Sequence, residues 1–134
     1  MSFVHGKNTF VSVDGNDLSA FTDTSTFTDG ADVHDLTTYG KNSHVHEGGL
    51  GTGSFQMSGS YDNTAGTGPR AVLKPRKGTT CTVIRRPEGT GSGKPQDSFD
   101  GVLASYVETS PVGDFVKWSA EFTISDDIDD TAQA

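Results

Sequence analysis

Cysteine and long aliphatic side chains are both scarce in this chain of 134 residues, and each shortage excludes something. The single cysteine, Cys81, excludes an internal disulfide and a cysteine-based zinc cluster. Within the alternating stretch 79–86 it reads as a small packed residue. No apolar run approaches the length needed to span a bilayer, and the N-terminal residues lack the basic, apolar and small-residue zones of a signal peptide. The expectation is a protein made in a cytoplasm that does not insert into a membrane by itself. Leu, Ile, Val and Phe fill 27 positions, about a fifth of the chain. That is close to the level at which a chain has trouble burying a core alone. One domain fits this length, and it is either a small β-domain of modest stability or one completed by its neighbours.

What is present is alternation. In residues 99–125, FDGVLASYVETSPVGDFVKWSAEFTIS, Val116, Trp118, Ala120, Phe122 and Ile124 fall on one side. Lys117, Ser119, Glu121, Thr123 and Ser125 fall on the other, the period of a half-buried strand. Residues 99–109 have the same character, and Ser110-Pro111-Val112-Gly113-Asp114 makes a loop of hairpin length. Each arm spans about 36–40 Å at the usual strand rise. The radius of gyration for this length is roughly 14 Å. Such a hairpin is long enough to continue a sheet beyond its own subunit.

Further strands are expected at 8–13, in one or two short pieces over 18–28, at 33–39, at 54–61 and at 79–86. Asp29-Gly30 reads as a break. Residues 40–53 read as a long loop with strand character near 43–46, and loops of that length usually serve a purpose. Residues 69–74 are the one helix candidate, with Pro69 in a tolerated first-turn position and Pro75 ending it. Residues 1–125 form the expected domain, and 126–134 an acidic tail that frays or docks on a partner.

The net charge of −8 is segregated along the chain. Residues 1–69 carry −6, residues 70–94 carry +6, and residues 95–134 carry −8. Arg76, Lys77, Arg85 and Arg86 lie in the basic block and are candidates for joining an acidic surface on another copy. The same block reads equally as a solvated loop. It lacks the interleaved aromatics of a single-strand nucleic-acid binder.

Catalytic and metal signals are weak. His34, His44 and His46, near Asp32, Asp35 and Glu47, form the most metal-like group, although the geometric demands of a real site favour solvated loop histidines. Residues 126–130 lack the glycine and distal glutamate of a calcium loop. Residues 89–95, GTGSGKP, lack the first glycine and final hydroxyl of a phosphate loop, and no helix follows. There is no nucleophile elbow, and nothing implies a cofactor. The reading is non-enzymatic.

Gly49-Leu50, then Gly53-Ser54-Phe55-Gln56-Met57-Ser58-Gly59-Ser60-Tyr61-Asp62, resembles a segment of the major tail tube proteins of long-tailed, siphovirus-type bacteriophages. So do Gly93-Lys94-Pro95, Ser105-Tyr106, Ser110-Pro111-Val112 and Trp118-Ser119-Ala120-Glu121-Phe122. Asp17-Leu18-Ser19 and Thr37-Thr38-Tyr39-Gly40 occupy comparable places. The resemblance runs from about residue 3 to 125 and rests on order and spacing. It implies a mainly β, sandwich- or barrel-like tail tube fold with one short flanking α-helix and a long loop. It also implies hexameric rings stacked into a hollow tube for DNA, within a virion assembled in a bacterial cytoplasm. Tape measure, tail terminator and baseplate or tail-tip proteins are the implied partners. The loop 38–53, with Thr38, Tyr39, His44, His46 and Leu50, is then the candidate for reaching another subunit. Glu121 is the candidate lumen acid, beside Lys117. Two alternatives remain: another virion component, such as a capsid decoration or tail-completion protein, and a monomeric β-sandwich module binding glycan or metal.

Overall fold

A computed structural model describes residues 3–62, 64 and 66–134. Seven strands follow in chain order: β1 (Phe10–Val13), β2 (Asn16–Asp17), β3 (Thr24–Asp35), β4 (His46–Ser60), β5 (Thr80–Arg86), β6 (Asp97–Thr109) and β7 (Lys117–Asp129). Among the described residues one α-helix, α1 (Pro69–Leu73), sits between β4 and β5 and runs into a 3-10 turn at Lys74–Arg76. Every strand pairing is antiparallel, in one sheet of order β2-β1-β5-β6-β7-β4-β3.

The sheet is sandwich-like because it rolls its apolar face inward. Phe27 on β3 meets Phe99 on β6 with ring centroids 5.5 Å apart, although β4 and β7 separate those strands in the sheet. The inner face reads Val11 and Val13, Cys81 and Val83, Phe99 and Leu103, Trp118, Ala120 and Phe122, Phe55 and Met57. These are the alternate positions of each strand, as the period of two requires. Cys81 is buried and free, in keeping with its reading as a packed residue. Leu18 closes one end, and Pro69, Val72 and Leu73 of α1 close another. The helix starts at Pro69, whose missing N–H would be unpaired there anyway. Arg70 Nη1 ties it to Glu108 on β6, 2.9 Å from Oε2.

Three expectations are corrected. Asp29-Gly30 does not break β3, because Asp29 pairs with Gly53 and Gly30 with Thr52, and the irregularity falls at Ala31/Val33. Residues 48–53 are strand, so the connecting loop is only 36–45. Both faces of this part of the hairpin are exposed, and no alternation betrays it. Finally, residue 125 is no boundary, since β7 continues to Asp129. Beyond β7 the chain docks on its own 89–95 loop. Gly93 N donates to Gln133 O (2.9 Å), and Gln133 N donates to Lys94 O (3.0 Å). Gly91 N donates to Gln133 Oε1, and Gln133 Nε2 donates to Gly89 O.

Gly59 shows how tight the roll is. It lies opposite Trp118, and the Phe21 carbonyl crosses the space a Cβ would need. That carbonyl also accepts from Trp118 Nε1 at 3.2 Å. Gly59→Ala should therefore push the 3-10 turn Ser19–Phe21 away and break this bond. The expected loss is about 2–3 kcal/mol in urea denaturation, as for overpacked cores. An unchanged midpoint would show that the turn yields freely.

Candidate assembly surfaces

The outer face of β3, β4, β7 and the second half of β6 is small and polar. Cross-strand neighbours run Thr26–Gln56–Glu121–Ser105 and Thr24–Ser58–Ser119–Val107. A shallow groove of about 290 Å³ runs over it. Glu121 is exposed on this face, as the alternation required. Along the paired stretch its only charged companion is Lys117, opposite Ser60 and Thr109. The face is thus lined by hydroxyls and close to neutral, with one acid offset by one base.

This four-stranded portion has an open edge on each side. Among the described residues no strand lies on the outer side of β3. β6 pairs with β5 from Asp97 as far as Val102, and Leu103 bonds the turn before β5, so among the described residues no strand lies on the outer side of 104–109. Such edges are templates for another strand.

The β3–β4 hairpin projects as an arm. From the Asp29–Gly53 pair to the Asp35–His46 pair it extends roughly 20 Å at strand rise, exposed on both faces. Thr38 and Tyr39 lie in its loop and His44 just before β4, whereas His46 and Leu50 lie on β4 itself. Tyr39 and Leu50 are fully or largely exposed, and Val33, Leu36 and Val45 add to an apolar tip. The loop is ordered by Asp35, whose Oδ1 accepts from the Thr37 hydroxyl (2.5 Å) and amide (3.0 Å). Those bonds hold the Asp35 carboxyl below its ordinary value. Thr37 Oγ1 in turn accepts from Val45 N at 2.9 Å.

The histidines do not converge. His44 Nδ1 lies 3.5 Å from Asp35 Oδ2, and the His44 and His46 rings are 6.0 Å apart. His34 stands on the opposite face, across Gly49. Among the described residues no three ligating side chains gather as a metal site.

The basic block is split in space. Arg76 and Lys77 precede β5 and Arg85 and Arg86 end it, so the pairs are roughly 20 Å or more apart. The arginines are also engaged within the subunit. Arg76 Nε donates to Asp14 Oδ2 (2.9 Å), and its Nη1 donates to Val72 O (2.6 Å). Arg85 Nη1 lies 3.3 Å from Asp97 Oδ2, with its guanidinium 5.5 Å from the Phe27 ring centre. Arg86 covers Phe10 at 4.7 Å and bonds Gln96 and Thr90. Lys77 is exposed. Sequence adjacency pointed to one patch because it carried no information on which end of a strand each residue occupies.

Solved structures share this fold. A hybrid solid-state NMR and cryo-EM structure of the SPP1 tail tube has a TM-score of 0.73 at 11% identity, covering 91% of this chain and 76% of that one. The tail of an empty GTA particle, refined helically with C6 symmetry, gives 0.77 at 14% identity, over 97% of this chain and 100% of that one. The virion of a native gene transfer agent particle gives 0.77 at 15%, with the same coverage. No family model and no curated protein sequence matches the chain. The chain therefore has the mainly β fold of tail tube subunits, with the short helix the resemblance implied.

Arg85→Glu should place two carboxylates side by side and uncover Phe27. We expect about 2–3 kcal/mol of lost subunit stability, below the full figure for a buried pair because both groups keep some exposure. Lys77→Glu should stay within about 0.5 kcal/mol. Equal effects in urea titrations would refute the distinction.

Asp14 gives a pH prediction. Partial burial works against its ionisation, but the Thr82 amide and the Arg76 guanidinium outweigh it, and its pKa falls below the ordinary 3.8. Its contribution is fully present above the unfolded value and is lost as pH falls through the lower folded one. Asp14→Asn should thus be less stable than the parent at pH 6, with the gap closing in strong acid. A gap independent of pH would show that the Asp14 charge plays no part.

Proposed function

We propose that this chain is a structural subunit of a phage-type tail tube, assembling into stacked hexameric rings whose bore passes DNA. The observation that carries this reading is the four-stranded polar face with an open edge on either side. Pairing β3 of one copy with β6 of the next removes both edges at once, which only a closed ring achieves for every copy. Six copies of four strands give 24 strands. At about 4.8 Å between strands the circumference is about 115 Å and the diameter roughly 37 Å, before strand tilt widens it. Side chains standing about 5 Å inward leave a bore of roughly 27 Å, wider than a DNA double helix.

The lining chemistry supports the same role. Proteins hold DNA through cations on phosphates. A face of serine, threonine and glutamine with Lys117 offset by Glu121 offers little to hold, so DNA slides. The sixfold symmetry of the similar GTA tail supports ring order six. The projecting arm, with Tyr39 and Leu50, is the element that reaches another subunit. No reaction is involved, and the role is structural, within a virion. Tape measure, tail terminator and tail-tip proteins are the further partners this reading implies.

Concentrated protein viewed by negative-stain microscopy should show sixfold rings or tubes. Persistent monomers at high concentration with tail partners present, or co-assembly with capsids alone, would refute the reading. The bore assignment has its own test. Gln56→Cys should react with a bulky polyethylene glycol maleimide in dispersed subunits and at least tenfold more slowly in tubes. Equal rates would remove this face from the bore.

A further inference from the structure

The arm leaves a notch beside it. β4 pairs with β7 only from Ser54–Thr123 to Ser60–Lys117. Beyond Thr123 the strands part: β4 continues outward with β3 on its far side alone, while β7 continues to Asp129 with β6 on its far side alone. Two strand edges therefore face each other across a gap with no strand between them. The groove measures about 640 Å³ and is lined by Leu50, Gly51, Gly53, Ile124 and Ile128, with Asp29, Asp126 and Asp127 on its rim. At its base Ile124 Cδ1 lies 2.9 Å from where a Gly53 Cβ would stand, so the Ile124 side chain packs directly on the Gly53 backbone. Open backbone edges, an apolar floor and an acidic rim together describe a site for an apolar segment with a cation beside it.

We infer that the notch receives residues 3–7 of a neighbouring copy in the same ring. Phe3-Val4-His5-Gly6-Lys7 has the matching chemistry: Phe3 and Val4 precede a 3-10 turn, Gly6–Asn8, which is capped by His5 and presents Lys7. Phe3 is 91% and Val4 51% exposed, so the segment has no cover in its own subunit. Position fits as well. Phe10 pairs with Arg86, at the end of the sheet where β6 begins and β7 finishes, which is the notch end. If β3 of one copy meets β6 of the next, the next copy's β5, β1 and leading segment follow on that same side. Phe3 and Val4 would cover Ile124, Ile128 and Leu50, and Lys7 would face the rim carboxylates.

The inference rests on the ring reading, and its test separates the two. Val4→Cys and Leu50→Cys are made as single variants, with the buried Cys81 left in place, and each is assembled alone and mixed with the other under mild oxidation. The mixture should give at least tenfold more disulfide-linked dimer than either variant alone. Rings without that excess would overturn this inference and leave the ring reading standing; absence of rings from the unmodified protein would overturn both. A dimer formed instead between Ala132→Cys and Leu50→Cys would place the neighbour's C-terminal segment in the notch and also overturn it. Removing residues 1–5 should raise the concentration needed for assembly at least tenfold without moving the subunit's thermal midpoint. Assembly at the parent's concentration would count as a second refutation.

Discussion

The strands are longer than the core they cover, and this mismatch governs the rest of the molecule. β3, β4, β6 and β7 run for 12, 15, 13 and 13 residues, yet the buried apolar positions occupy only the inner face of the second half of β4 and the first halves of β6 and β7, and none lies on β3. One sheet rolled over a small core satisfies the strands where they overlap and leaves them unsatisfied where they overrun. Backbone groups at an overrunning edge are hydrogen-bonded to water or to another chain. This protein carries its unused pairing capacity at two sheet edges, along an arm and in a notch.

The same economy sets the character of each surface. Where the sheet has a core beneath it, side chains alternate between Phe, Val or Trp and Ser, Thr or Gln, so the outer face is hydroxyl-rich without being sticky. Where it has none, both sides are wet and glycine is frequent: Gly48, Gly49, Gly51 and Gly53 all lie on the free part of β4. Charge follows a different logic. Most arginines are spent inside the subunit, on Asp14, Asp97, Glu108 and aromatic faces, which leaves acids prominent at the arm end.

How much of this the sequence disclosed depends on whether a residue's partner side chains are apolar. The hairpin of β6 and β7 and the second half of β4 were legible because a core face imposes a period of two. The helix was legible from Pro69 and Pro75. The arm was not, because strands exposed on both faces follow no hydrophobic rhythm and are held by backbone bonds that any residue can make. The basic block misled because β5 carries its two halves to opposite ends. Gln133 was invisible for a simpler reason: one amide in an acidic stretch gives no pattern, although it bonds five separate loop residues through its backbone and side chain. Glu121 was placed on the correct face by alternation alone, while the neutrality of that face emerged only when four strands were set side by side.

The strand order carries a consequence for biosynthesis. β7 is the last strand in the chain, yet it lies between β6 and β4 and is the only bridge between the two halves of the sheet. A nascent polypeptide can form the β3–β4 hairpin and the β1–β5–β6 set as it emerges, but these remain separate islands until β7 leaves the ribosome. Pairings so distant in sequence form slowly, and the waiting edges are exposed to misassociation meanwhile. In the proposed tube, growth is thereby coupled to completion of each chain, since the four-stranded platform with its two open edges does not exist before its final strand is made.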